Sequence, residues 1–464
     1  MSVELNSHGK IISFFTLVMI NVIAIDNLRS LTVGAEYGFA MIFFYGLAAL
    51  LFFIPTILVT AELATGWPST GGVYVWVREA FGPRWGFLTI WLQWIYNVVW
   101  YPTIFAFIAG IVAYMINPHL VENKIFMLSV ILTAFWGMTF VNCIGLRISG
   151  LISVIGAVIG TIFPMVLIAI LGFTWLYLGK PSQVQFSVKD FFPHLHSYHD
   201  LAFLTNILFG LMGMEMSAVH AGDVQNPQRN YPRALIYSAF IIFTTLVCAC
   251  LAITIVIPVD KLSLVSGLID AFAIFFHSFH MDWFLPIIAI LIIVGSLGGA
   301  SAWILGPARG LLIATEDSKL PKLIAKRNKK NMPVGILLLQ GVIVTVLSMV
   351  FLIMPSVNSS YWILSNLTAQ LALVFYILMF AAAIRLRHKH GNVKRAYRIP
   401  GGAWGIWVVC GIGMLTCISA IILGFLPPTQ VAVGNLLKYE AILVIGMLVC
   451  CLLPLILYSR KQSA

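Results

Sequence analysis

The sequence predicts an all-α membrane protein with twelve transmembrane helices. Of its 464 residues, 61% are hydrophobic and only 9% are charged, and the mean hydropathy is +0.99. Average proteins are about 45–50% apolar, so most of this chain is expected to lie in lipid. Apolar runs of about 20 residues, the length that crosses a bilayer, recur along the whole sequence. They lie near residues 11–32, 38–62, 86–115, 125–143, 151–178, 201–221, 234–257, 284–312, 334–354, 361–384, 404–425 and 437–458.

The long eighth run is expected to form one helix, because no charge or proline divides it between Pro286 and Pro307. Twelve runs leave almost nothing for a soluble domain. We therefore treat residues 1–464 as a single transmembrane domain.

Lysine and arginine lie mainly on one side of this twelve-span arrangement, including the two strongly basic loops 319–330 and 385–398. Cytoplasmic loops carry an excess of these residues, so both termini are expected in the cytoplasm. The net charge of +11 thus reflects membrane topology, and we expect no nucleic-acid partner. The opposite side carries only Lys124, Lys180, Lys189, Lys261 and Lys438.

Two of the apolar runs contain polar interruptions. The first run is broken by Ile25-Asp-Asn-Leu-Arg-Ser30, and the sixth by Gly213–Ser217, which includes Glu215. A carboxylate at membrane depth is costly and marks a functional site by default. Gly210 and Gly213 each lower helix stability by about 1 kcal/mol relative to Ala, which favours a break. Broken membrane helices expose N–H and C=O groups, so we expect a solute-binding site here.

The two interruptions stand five spans apart, which predicts an inverted five-plus-five repeat with broken helices 1 and 6. The repeats would cover about residues 11–178 and 201–386, with additional helices in 404–458. In such a repeat both interruptions meet near the middle of the membrane.

Several short motifs occur in order along the chain. They are Ala61-Glu-Leu-Ala64, Gly71-Gly-Val-Tyr74, Phe81-Gly-Pro-Arg-Trp-Gly86, Gly213-Met-Glu215, Asn226-Pro-Gln-Arg-Asn-Tyr-Pro232 and Trp303-Ile-Leu-Gly-Pro-Ala-Arg-Gly310.

Together these motifs resemble the amino acid–polyamine–organocation (APC) transporter superfamily. With Phe52-Phe-Ile-Pro55 and Arg398-Ile-Pro-Gly-Gly402, the last two are most similar to the bacterial glutamate/γ-aminobutyrate antiporter branch. The resemblance implies alternating access in the bacterial inner membrane, with sodium-independent exchange of amino acids and their decarboxylation products. It also implies that spans 1, 2, 6 and 7 move against the rest.

The chain departs from the family at the first break, where relatives often have Gly and Ser. The matching positions are Asp26 and Asn27, and Arg29 follows. A fixed anion would repel a substrate carboxylate unless Arg29 neutralises Asp26 or Asp26 is protonated. Arg29 can bind a carboxylate with two parallel hydrogen bonds. Alternatively, Asp26 and Arg29 form an internal ion pair, since they are three residues apart.

The remaining candidate residues lie on spans 3, 6 and 8. Gln93, Asn97 and Tyr101 recur every four residues and share one helix face, which either contacts substrate or bonds to other helices. By the resemblance, Phe209 and Trp303 place rings over the substrate and Glu215 couples binding to a gate. Alternatively, these residues have structural roles: the two rings only pack against neighbouring helices, and Glu215 caps loosened backbone. The complete candidate set is Ile25, Asp26, Asn27, Arg29, Gln93, Asn97, Tyr101, Phe209, Gly213, Glu215, Ser217 and Trp303.

No phosphate-binding loop, protease motif, haem motif or zinc spacing occurs, so we expect neither enzymatic activity nor a cofactor or metal. The expected function is exchange of an amino acid for a related amine or amino acid. A proton-coupled importer without obligatory exchange is the alternative, with protons as the coupling ion. A third hypothesis is a membrane receptor or assembly factor built on a transporter-like scaffold. The expected partners are an amino acid or amine and the lipid bilayer, and the chain would be a monomer or a homodimer.

Overall fold

The chain folds into packed helices, as the sequence predicts. The computed structural model describes residues 12–68, 71–145, 156, 158–193, 197–220, 224–318, 326–429 and 431–459. Within these ranges the only β pairing is an isolated bridge between Ile12 and Val224. Residues 151–155, the predicted start of span 5, lie outside the described ranges.

Among the described residues, eleven helices are long and apolar enough to cross a membrane. They form spans 2 to 12: Gly38–Gly66, Pro83–Ile116, Lys124–Ile144, Val158–Tyr177, Tyr198–Ala218, Arg229–Val256, Asp282–Leu312, Val334–Ile353, Val357–Lys389, Gly402–Gly424 and Leu436–Tyr458. Span 1 consists of the helices Phe14–Ile25 and Ser30–Ala35, each too short to cross alone. With it the fold has twelve spans.

The predicted break in span 1 is confirmed. Its first helix ends at Ile25 because Asp26 adopts an extended backbone, with φ −61° and ψ 112°. The Asn27 side chain then accepts a hydrogen bond from the Ser30 amide at 3.0 Å, as a capping residue does at a helix start. The Ser30 hydroxyl returns a bond to the Asn27 carbonyl at 2.9 Å. Polar side chains therefore both stop and restart the helix.

The break in span 6 begins earlier than predicted. The α-helix Leu204–Gly210 ends, Leu211 to Gly213 are not helical, and a 3-10 helix covers Met214–His220. Leu211 and Met212 donate to carbonyls three residues back rather than four, which unwinds the α-helix before Gly213. Gly213 has φ +126°, a conformation that side-chain-bearing residues rarely adopt. The predicted interruption Gly213–Ser217 is thus only the second half of the break.

Spans 3 and 8 carry the longest helices of the described chain. Pro83–Ile116 and Leu285–Ser318 have 34 residues each and stand five spans apart. The expected continuity of span 8 is confirmed. The equal lengths agree with a five-span repeat, although the repeat boundaries near 178 and 386 remain a prediction.

An additional helix, Gly267–Ser278, connects spans 7 and 8 and was not predicted. Its Phe272 and Phe275 are fully buried. The loop before it contacts span 1, because the Thr32 hydroxyl donates to the Leu264 carbonyl at 2.9 Å. The second helix of span 1, Ser30–Ala35, is therefore fixed to this connection.

A buried carboxylate joins span 2 to the end of span 10 and to the loop that follows it. Glu62 is 2% exposed and lies 3.1 Å from Arg387 Nε and 3.8 Å from Arg395 Nε. Its second oxygen accepts a hydrogen bond from the Ile399 amide at 2.9 Å. Since breaking one partner of a buried charge network costs about 3–5 kcal/mol, this contact holds the predicted cytoplasmic side together.

Candidate functional site

A cavity of about 100 Å³ lies between the breaks of spans 1 and 6. Spans 3, 5, 8 and 10 complete its wall. Eight of the candidate residues line it: Ile25, Asp26, Asn27, Arg29, Asn97, Phe209, Gly213 and Trp303. Four candidates are not among the lining residues: Gln93, Tyr101, Glu215 and Ser217. The structure thus brings both breaks and one face of span 8 together.

Arg29 is a buried cation whose hydrogen-bond partners within the described ranges are all uncharged hydroxyl groups. It is 2% exposed, and its Nη1 donates to the hydroxyls of Thr103, Tyr361 and Ser365 at 3.4, 3.2 and 3.1 Å. Aromatic rings surround the guanidinium, with its carbon 5.8 Å from the Trp100 centroid and 5.4 Å from that of Phe209. No ion pair to Arg29 occurs within the described ranges, and its Nε has no hydrogen-bond partner there.

Asp26 is equally isolated from positive charge. It is 4% exposed, and one carboxylate oxygen accepts from the Thr245 hydroxyl at 3.0 Å. The other oxygen has no partner among the described residues. The alternative of an internal Asp26–Arg29 ion pair is therefore wrong. Three-residue spacing brings side chains together only on a helix, and the backbone from Asp26 to Arg29 is not helical.

The first break also leaves backbone donors without acceptors. Within the described chain, the amides of Asn27 and Leu28 have no hydrogen-bond acceptor. The Ile25 carbonyl is taken up by the Asn27 side chain at 3.1 Å. Free amides at a broken membrane helix can bind an anionic group.

Glu215 lies behind the cavity wall and is tied to the break through Tyr376 of span 10. The Tyr376 hydroxyl accepts from the Gly213 amide at 2.9 Å and donates to Glu215 Oε2 at 2.5 Å. Glu215 is 2% exposed, and its other oxygen has no partner within the described ranges. One hydroxyl therefore connects the break, the carboxylate and span 10.

The polar face of span 3 is divided between cavity and packing. Asn97 lines the cavity and donates to the Gln93 carbonyl at 2.7 Å. Gln93 donates to the Met216 sulfur at 3.2 Å, and the Tyr101 hydroxyl donates to the Trp303 carbonyl at 2.7 Å. Of the two expected roles for this face, contact with the cavity thus applies to Asn97, and hydrogen bonding between spans applies to Gln93 and Tyr101.

Ser217 packs away from the cavity as well. Its hydroxyl lies 2.9 Å from the Tyr231 hydroxyl. The residue as a whole is 1% exposed. Sequence reasoning instead missed Tyr96, Trp100 and Ser296, which line the cavity. The sequence signal for Trp100 is its position three residues after Asn97, which places both residues on one face of the helix.

Glycines bring spans 5 and 8 into direct contact beside the cavity. A Cβ on Gly295 would lie 2.3 Å from the carbonyl carbon and oxygen of Gly160, so the two backbones touch. One turn later, a Cβ on Gly299 would meet no atom within 4 Å. Both Gly295 and Gly299 line the cavity. The first glycine sets the helix separation, and the second borders open space.

Sequence comparison relates the chain to known transporters. Residues 12–448 match the amino acid permease family profile. The chain is 52% identical over 459 residues to an uncharacterized transporter of Legionella pneumophila, covering 99% of this chain and 98% of the relative. It is 32% identical over 429 residues to a glutamate/γ-aminobutyrate antiporter of Lactococcus lactis, covering 91% and 85%. A probable agmatine/putrescine antiporter of that species is 25% identical over 394 residues, covering 85% and 83%.

Proposed function

The chain belongs to the amino acid permease family, and we propose that it exchanges a zwitterionic amino acid for a related amine or amino acid. It is a transporter rather than an enzyme. In the proposed cycle, the cavity between the two breaks opens to each side of the membrane in turn. Spans 1, 2, 6 and 7 would move against the remaining spans, with both termini in the cytoplasm of a bacterial cell.

The observation that carries the proposal is the pair of buried, unpaired charges on the first break. Arg29 and Asp26 both line the cavity, and neither has an opposite charge among the described residues. Burying a charge without a counter-charge costs several kcal/mol. A ligand with both an anionic and a cationic group would reduce that cost at both residues.

The substrate carboxylate is assigned to Arg29. Its guanidinium has donors left over after the three hydroxyl contacts, and its planar fork suits a carboxylate. The unbonded amides of Asn27 and Leu28 provide further donors at the same break. The ammonium group is assigned to the free oxygen of Asp26.

Trp303 and Phe209 are proposed to enclose the substrate. Both line the cavity, and the Trp303 backbone is held by Tyr101 of span 3. An aromatic ring beside an ammonium group contributes about 0.5–2 kcal/mol. Phe209 is already 5.4 Å from the Arg29 guanidinium, so Trp303 is the ring more available to the substrate.

Glu215 is proposed to act on the gate rather than on the substrate. Tyr376 bonds to both Gly213 and Glu215, so a change in the span 6 break alters the environment of this carboxylate. Protonation of Glu215 would remove the negative charge that strengthens the hydrogen bond from the Tyr376 hydroxyl, and the weaker bond would loosen the link to span 10.

A proton-coupled importer is the second candidate. Asp26 and Glu215 each have a carboxylate oxygen without a partner within the described chain, and a proton could occupy either. This candidate predicts uptake into liposomes that contain no internal substrate, driven by a pH gradient.

The test is transport by purified protein in liposomes. An exchanger accumulates labelled amino acid only when unlabelled amino acid or amine is enclosed, whereas the importer needs only the pH gradient. Asp26→Asn and Arg29→Gln should both lower flux. Asp282→Asn is the control, because Asp282 is exposed and does not line the cavity, and it should leave flux unchanged. Absence of flux for a broad panel of amino acids and amines under both conditions would refute the proposal.

A further inference from the structure

A second, larger cavity system lies on the face predicted to be extracellular. Two adjoining cavities of about 710 and 620 Å³ share Asp260, Leu262, Ser356 and Asn358 in their walls. Their walls come from the connections that follow spans 1, 3, 7, 9 and 11. Connections after odd-numbered spans share one side of the membrane. We call the two cavities together the outer vestibule.

The outer vestibule is acidic although the protein is strongly basic. Among the described residues, its walls contain the carboxylates of Glu36, Glu122, Asp260 and Asp270 and one cationic side chain, that of Lys261. The formal charge of these groups is −3 when all are ionised, whereas the whole chain has a net charge of +11. A cleft lined by one sign of charge concentrates ions of the opposite sign.

Glu36 gives the outer vestibule an unpaired buried acceptor. It lines the larger cavity, is 5% exposed, and its Oε2 has no partner among the described residues. Burial raises the pKa of Glu36 to about 8. Burial also raises the pKa of Asp270 to about 6, although Ser266 donates a hydrogen bond to it at 2.9 Å. A cation in the vestibule would supply the partner that Glu36 lacks.

The arrangement fits an organic ammonium ion better than a metal ion. Within the described ranges, no group of three or more His, Cys, Asp or Glu residues could hold a metal. Divalent metals need several oxygens within about 2.0–2.6 Å, whereas these carboxylates are spread over two cavities. An extended diamine can place one charge near Glu36 and another near Asp260 or Asp270. Tyr114, Ser356 and Asn358 add polar groups and a ring to the wall.

One short helix connects the outer vestibule to the central cavity. Glu36 directly follows Ser30–Ala35, and Arg29 directly precedes it. Thr32 fixes this helix to the vestibule loop through the Leu264 carbonyl at 2.9 Å. A ligand bound at Glu36 therefore lies at the opposite end of the element that presents Arg29 to the central cavity.

We propose that the outer vestibule binds organic ammonium ions, such as aliphatic diamines, through Glu36 and Asp260 at a site separate from the central cavity. The idea that this site holds an amine before or after exchange rests on the proposed transport function. Binding of an amine at the site does not rest on that function, because binding can be measured without transport.

The test is calorimetric titration of the full-length protein in lipid nanodiscs with putrescine (1,4-diaminobutane). The neutral diol of the same length is the ligand control. The pH should lie above the pKa of Glu36 and below that of alkyl ammonium, at about 8.5–9. We expect Asp260→Asn to weaken putrescine binding about tenfold, since it removes one charge a few ångströms from the ligand. Glu36→Gln should act similarly, and raised salt should weaken binding.

Asp282→Asn is the matched control, because it removes an exposed carboxylate that is not part of the vestibule wall. It should leave the affinity unchanged. Unchanged binding in both Asp260→Asn and Glu36→Gln overturns the proposal. So does loss of binding in Asp26→Asn with no loss in Asp260→Asn, because the cation would then occupy the central cavity. Loss of flux in liposomes with vestibule binding intact would instead refute only the transport function.

Discussion

Replacing Arg29 by Gln should change which substrates the central cavity prefers. The three hydroxyl contacts of Arg29 are 3.1–3.4 Å long, at or beyond the long end of the usual range for N–H···O bonds, so we expect their loss to cost less than the loss of a short bond to a carboxylate. The larger loss is the charge-assisted contact with a substrate carboxylate, about 1.5–3 kcal/mol. That range corresponds to about a 10- to 150-fold weaker affinity for an amino acid.

The useful comparison is between an amino acid and an amine that lacks any carboxylate, such as ornithine and putrescine. In Arg29→Gln the affinity for the amino acid should fall, whereas the affinity of the central cavity for the amine should stay constant or rise, because a repelling cation is gone. Half-saturation in exchange assays and ligand-induced shifts in thermal unfolding both measure this. Measuring amine binding in an Asp260→Asn background excludes a contribution from the outer vestibule.

The ligand-free protein gives an independent readout. Removing a buried charge without a counter-charge should raise the melting temperature of Arg29→Gln, while Arg29→Lys should not, since it keeps the charge. Arg84→Gln, at an exposed position, controls for the general loss of one charge. An equal loss of affinity for amino acid and amine, or a lowered melting temperature without ligand, would refute the assignment of Arg29 to the carboxylate.

Four further changes test other parts of the structure. Tyr376→Phe removes the hydroxyl shared by Gly213 and Glu215 and should lower turnover more than affinity in exchange assays. Glu215→Gln should shift the pH profile of flux, and wild-type flux at every pH would contradict a role for this carboxylate. Trp303→Ala should raise half-saturation about 2- to 30-fold, the loss of about 0.5–2 kcal/mol of ring contact, and unchanged half-saturation would remove it from the site. Glu62→Gln leaves two arginines without their shared carboxylate and should destabilise the protein by about 3–5 kcal/mol, which unfolding in detergent would detect.

The outer vestibule should also respond to pH in a definite direction. Glu36 has a pKa raised to about 8, so it is mostly neutral at pH 6 and mostly ionised at pH 9. Asp270, with a pKa of about 6, ionises at lower pH than Glu36. Putrescine binding should therefore strengthen between pH 6 and pH 9. Binding that weakens over this range would contradict the part assigned to Glu36.

The fold could largely be predicted because the bilayer leaves few alternatives. Runs of about 20 apolar residues in lipid must be helices, so composition and spacing gave twelve spans. The break in span 1 was also visible, because Asp26, Asn27 and Arg29 have little place in an unbroken lipid-exposed helix. The break in span 6 was misplaced because Leu211 and Met212 are apolar. Their altered hydrogen bonds leave no trace in composition.

The site was harder to predict because it depends on contacts between distant parts of the chain. Tyr376 reaches Glu215 across 161 residues, and Tyr361 reaches Arg29 across 332. Nothing near either tyrosine in the sequence indicates its partner. Glu215 is not among the residues that line the cavity, although it follows Gly213, which is, by only two positions. The polar residues in the membrane spans thus predicted where the site lies, but they did not predict which side chains line the cavity.

Because Gly160 and Gly295 are in contact, a substitution at Gly295 and one at Gly299 would affect the size of the accepted substrate in different ways. A methyl group at Gly295 would collide with the backbone of span 5 and push two helices apart, which would disturb the whole wall. A methyl group at Gly299, one turn away on the same wall, would project into empty space and simply make the chamber smaller. Related carriers that diverge at the second position could therefore favour shorter molecules while keeping the same charge recognition, whereas divergence at the first would require the scaffold itself to be rebuilt.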